Sequence, residues 1–139
     1  MLAILGAALL TVTACSTHPK ADEYRMPLED AIPLSLELDC QDRQLQLSDV
    51  EALSAMNGFT CTTAQGHEVH LAAYGQSQEA RRALLRQTQD LHEEHRFVLG
   101  ENWTLVGPEE NIDTVLENLE VRGNPTEDVP FDDDERAEL

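Results

Sequence analysis

The apolar period of this chain switches from two to about 3.6 within a few residues, and that switch most constrains its fold. From Glu68 to Tyr74, the apolar residues Val69, Leu71 and Ala73 take every second position. This is the pattern of a strand burying one face, and Gly75 breaks it. Ser77 then stands where a helix cap belongs. Ala80, Ala83, Leu84, Thr88 and Leu91 follow as the inner stripe of a helix predicted from about Gln78 to Glu94. A strand feeding directly into an amphipathic helix points to an α+β domain.

Other segments extend this reading. Leu34-Ser-Leu-Glu-Leu-Asp39 alternates strictly and predicts a half-buried strand with Leu34, Leu36 and Leu38 inward. Ser48-Asp-Val-Glu51 has the form of a capping box. It predicts a short helix to about Met56, burying Val50, Leu53 and Met56 and ended by Asn57-Gly58. Phe59 to Thr63 reads as a short strand holding Cys61, and Ala64-Gln-Gly66 as a turn. Arg96–Leu99 and Asn102–Val106 flank Gly100-Glu101, a hairpin signal, with the single tryptophan Trp103 as its core anchor. Pro108 opens a last helix carrying Ile112, Val115, Leu116 and Leu119, stopped by Gly123-Asn-Pro125. The expected fold is α+β, a small mainly antiparallel sheet with helices packed on one face. Its first six elements resemble a ferredoxin-like arrangement, with an added C-terminal helix.

Residues 34–122 form the expected globular domain. Ser16 to Pro33 carries Pro19, Pro27 and Pro33 without apolar periodicity and reads as a flexible linker with a reach of roughly 24 Å. Residues 123–139 read as an acidic disordered tail. The formal net charge is −18. Such a charge repels nucleic-acid phosphates and anionic headgroups, so neither nucleic acid nor an electrostatic membrane grip is expected. The acid excess reads as solubility.

The run from Leu2 to Leu10 is too short to span a bilayer, and Thr11, Thr13, Ser16, Thr17 and His18 close it. Val12-Thr-Ala-Cys15 comes next and resembles the lipobox of bacterial lipoproteins: a branched aliphatic, two small residues, then cysteine. The resemblance implies a signal peptide over residues 1–14 and a diacylglycerated Cys15 as first mature residue. The partner is then the cell membrane, reached through palmitate-type acyl chains on its extracytoplasmic face. Two chains on one residue suffice for stable attachment. The bare Met1, with no Lys or Arg beside it, departs from the usual signal pattern. An ordinary secretory signal cut elsewhere is the competing reading.

With Cys15 lipidated, Cys40 and Cys61 remain in an exported chain, where disulfides persist. A Cys40–Cys61 bond closes a loop of about 20 residues, worth roughly 3 kcal/mol in the chain-entropy picture. It conflicts with a ferredoxin-like order. That order separates the first two strands by a third, so they stand about 9–10 Å apart. A disulfide wants Cα atoms within about 7 Å.

Candidate chemistry is sparse. Gly75-Gln-Ser-Gln-Glu79 has the strand-to-helix setting of a nucleophile elbow but lacks its second glycine, and Ser77 as a cap explains the same residues. His92-Glu-Glu-His95 places two imidazoles on one helical face, yet zincin ligands are four apart rather than three. A solvated helix end is the plainer reading. His67 and His70 lie three apart on a predicted strand and so point to opposite faces. Asp132-Asp-Asp-Glu135 lacks the spacing and glycine of a calcium loop. No catalytic residue, cofactor or metal is expected.

The mature chain is similar to small lipoproteins of high-GC Gram-positive bacteria. The likeness is carried by Cys15, Cys40 and Cys61, the strand–helix Val69 to Leu85, the hairpin Phe97 to Val106 with Trp103, and the closing helix. It implies export and anchoring, and no activity. Two functions fit: a non-catalytic binding or accessory module whose small-molecule or protein partner is unknown, or a metal-binding lipoprotein using His92, His95 and nearby carboxylates.

Overall fold

The computed structural model describes residues 18–47, 56–87, 95–123 and Asp134. Among these, β1 (Cys40–Leu47), β2 (Met56–Thr63), β3 (Glu68–Tyr74), β4 (Arg96–Leu99) and β5 (Trp103–Gly107) form one sheet. Its order is β1-β2-β3-β5-β4, with every neighbouring pair antiparallel. The helices are α1 (Leu28–Ala31), α2 (Ser77–Gln87) and α3 (Glu109–Leu119). The class is therefore α+β, as expected. The order is not ferredoxin-like. β1, β2 and β3 make a meander, and β5 inserts between β3 and β4.

The helices lie on both faces of the sheet, which corrects the one-face expectation. Val69, Leu71 and Ala73 of β3 face a core shared with Phe59, Trp103 and Leu105 and with Ile112, Val115 and Leu116 of α3. Ala72 and Tyr74 face the other way, onto Ala80 and Ala83 of α2. Phe97 and Val106 meet Leu84 and Leu85 of α2 on that second face. The cause is visible in β3 itself. From Leu71 to Tyr74 no residue is charged or strongly polar, so both faces demand cover.

The expected linker is also corrected. From Pro19 onward the chain is a strap laid on the α3 side of the sheet, with Ala21, Met26, Ala31 and Leu38 buried in that core. Its prolines do not loosen it. Pro27 is the N-cap of α1, and Pro33 sits in the first turn of a 3-10 helix, Ile32–Leu36, where a missing N–H costs little. That helix replaces the strand expected at residues 34–39. Ala31, Leu34, Ser35 and Leu38 turn inward at helical spacing, while Leu36 is 74% exposed. The extended chain begins only at Cys40.

Residues 48–55, which hold the predicted capping box with Val50 and Leu53, lie outside the described residues. Met56, Asn57 and Gly58, expected to close that helix, belong to β2. Gly58 is set by the sheet: a Cβ there would stand 2.5 Å from the Leu71 carbonyl oxygen. β3 and the β4–β5 hairpin agree with the sequence reading, and Gly66 makes the turn at φ +82°. Thr88 and Leu91 of the predicted stripe lie outside the described residues. α3 ends on Glu120 in the left-handed region at φ 54°, ahead of Gly123.

Candidate functional site

Cys40 opens β1, and Cys61 lies in the adjacent strand β2. A register shift between Cys40 and Asp42 brings the two Cα atoms to 5.5 Å, and the cysteines are disulfide-bonded across 21 positions. The conflict between bond and topology disappears because β1 and β2 are direct neighbours. Cys61 is fully buried and joins the core on the α3 side.

Cys15 lies outside the described residues, but the chain is fixed from His18 onward. Arg122 Nε donates to the His18 carbonyl at 2.8 Å. The Arg122 N–H donates to the Pro19 carbonyl at 2.9 Å, and the Ala21 N–H to the Arg122 carbonyl at 2.7 Å. Together they form a short parallel bridge between Lys20 and Arg122. Both side chains are exposed, and among the described residues neither forms an ion pair. A groove of about 930 Å³ opens at this end. Its lining comes from the strap (Lys20, Asp22), β4 (Leu99), the C-terminal half of α3 (Leu116) and the chain just past its end (Glu120, Arg122).

A clasp that sequence reasoning missed holds the strap to the hairpin. Asn102, 1% exposed, accepts the Met26 N–H at 2.7 Å and donates to the carbonyls of Met26 at 2.9 Å and Tyr74 at 2.7 Å. The Trp103 indole N–H donates to the Tyr24 carbonyl at 2.9 Å. The only sequence signal was a polar residue beside the tryptophan at the hairpin turn.

Ser77 is not the expected cap. Its hydroxyl donates to the Glu101 carboxylate at 2.8 Å. Arg25 reaches the same carboxylate at 3.0 Å and the Gly75 carbonyl at 2.8 Å. The cap position falls on Gln76, whose carbonyl accepts the Glu79 and Ala80 N–H groups, so Ser77 already stands in the first helical turn. The Glu101 contacts form a surface network joining strap, hairpin and α2.

Among the described residues, His67 and His70 have separate partners. His92 lies outside the described residues. His67 lies 4.0 Å from the Glu110 carboxylate at the start of α3. His70 Nδ1 is 3.1 Å from the Thr60 hydroxyl, which also accepts from Gln46 at 3.2 Å. Burial lowers the His70 pKa, opposed by the nearby Glu68 carboxylate. Burial raises the pKa of Tyr24, with Asp30 adding to it. Among the described residues no group of three or more His, Cys, Asp or Glu comes together to hold a metal. Of Asp132 to Glu135, Asp134 alone is described.

Comparison with protein-family models, with curated proteins and with solved structures finds no match.

Proposed function

We propose that this chain is a lipoprotein held by Cys15 on the extracytoplasmic face of the cell membrane, where it acts as a non-catalytic binding or accessory module. The observation that carries this reading is Val12-Thr-Ala-Cys15 directly after the apolar run Leu2 to Leu10. The Cys40–Cys61 bond supports it. It occupies the other two cysteines and suits an oxidising compartment. Two acyl chains supply the attachment that a surface of net charge −18 does not.

Replacing the anchor tests the reading. Cys15→Ser should leave the membrane fraction or accumulate unprocessed, and it should lose incorporation of labelled palmitate. A Cys15→Ser protein that is still cut normally and still sediments with membranes overturns the lipoprotein reading.

A further inference from the structure

We propose that the end of the domain where the chain enters, Pro19 to Ala21 with Arg122 beside it, is held against phospholipid headgroups, with Lys20 and Arg122 on the lipid phosphates. The inference rests on the lipid anchor proposed above, and two observations on the fold carry it.

The first is the number of residues between Cys15 and the folded domain. The His18 and Pro19 carbonyls are already bonded to Arg122, so only residues 16 and 17 separate Cys15 from chain fixed to the domain. A fully extended chain from Cys15 to Pro19 reaches at most about 14 Å. A linker running to Pro33 would have let the domain move roughly 24 Å from the bilayer and turn freely. This tether allows neither.

The second is the chemistry at that end. Lys20 and Arg122 are partners across the parallel bridge, so their side chains leave the same side of it. Both are exposed and neither is ion-paired among the described residues. An ammonium next to a guanidinium is a suitable pair of donors for phosphate oxygens. Asp22, Glu117 and Glu120 also line the groove here, so this surface does not seek anionic lipid from solution. The tether supplies the high local concentration that makes the contact.

The opposite end of the domain then faces water. α3 runs from Glu110, beside His67, toward Arg122, a length of about 16 Å. The exposed turn at Gln65 lies at the far end of that helix.

The test uses natively lipidated protein in vesicles of phosphatidylethanolamine and phosphatidylglycerol. A nitroxide is carried on an unnatural side chain at Glu120 or at Gln65. Collision with a water-soluble nickel chelate is compared with that of the anchorless Cys15→Ser protein in solution. The Glu120 label should be shielded several-fold on vesicles and the Gln65 label unchanged. Inserting about twelve Gly/Ser residues between Thr17 and His18 should restore collisions at Glu120 while the protein stays bound. Lys20→Gln with Arg122→Gln, which keeps the backbone bridge, should restore them in part. A vesicle-bound protein whose Glu120 label is as accessible as its Gln65 label overturns this inference and leaves the anchor standing. Shielding unchanged in the double variant overturns the phosphate contact. A protein that never enters the membrane fraction overturns the anchor and this inference together.

Discussion

Asn102 is a short side chain bonded to the backbone of two other segments, Met26 in the strap and Tyr74 at the end of β3. Asn102→Ala leaves a buried N–H and two carbonyls without these partners, and each such group costs on the order of 1–3 kcal/mol. A loss of about 3 kcal/mol in urea unfolding is expected. A loss below about 1 kcal/mol would show that water or a local shift replaces the clasp. His70 offers a prediction of a different kind. Burial lowers its pKa from the ordinary 6.5, so the unfolded chain takes up this proton first as pH falls. The stability tied to His70 is complete above about pH 6.5 and declines as pH drops from there through the folded value. His70→Gln should therefore narrow the difference in urea midpoint between about pH 7 and about pH 5. An unchanged difference would remove His70 from the acid response. The sequence displays some of these roles and hides others. The Cys40–Cys61 bond was expected once Cys15 was set aside as an anchor, because only these two cysteines then remain. Asn102 gave no such signal, because any exposed turn can carry an asparagine. Only the fold reveals which backbone groups need it.

At the level of elements, Gly100 and Trp103 show how a hairpin signal becomes packing. A Cβ at Gly100 would overlap the Trp103 indole ring, which is fully buried. Gly100→Ala should then cost about 1–3 kcal/mol, since a packed core resists even one added carbon. Near-ultraviolet circular dichroism should report the displaced tryptophan. A variant with wild-type stability and an unchanged spectrum would count against this fit. α3 was read correctly because its burial, at Ile112, Val115 and Leu116, matches its backbone period. β1 was missed because it is an edge strand, exposed along most of its length, with no burial pattern to read. Residues 34–38 misled for the opposite reason. Their leucines alternate like a strand, yet Ala31, Leu34, Ser35 and Leu38 also satisfy a helical spacing, and Pro33 favours the helix. The first part of the strap, Pro19 to Met26, has no periodicity because backbone hydrogen bonds to Arg122 and the hairpin side chains place it.

At the scale of the whole molecule, the disulfide fastens an edge strand to the sheet. Leu45 and Leu47 of β1 are 47% and 64% exposed, so little apolar burial holds this strand, and the bond reinforces its backbone ladder with β2. Replacing Cys40 and Cys61 together by serine should cost about 3 kcal/mol. Hydrogen exchange should rise first in β1 and leave β3 and β5 protected. Uniform loss of protection would mean that β1 is integral to the core. Two layers of helix around one sheet were not legible in advance, because Ala72 and Tyr74 read as ordinary strand residues until α2 is placed over them.

The clasp between strap and hairpin has a consequence for the order of synthesis. Met26 and Asn102 are 76 positions apart, and Tyr24 and Trp103 are 79 apart. The strap is made early, and its partners emerge only when most of the chain exists. Contacts of this range close slowly and complete no domain while the chain is short. A growing chain of this design completes its core only after its second half has joined the first.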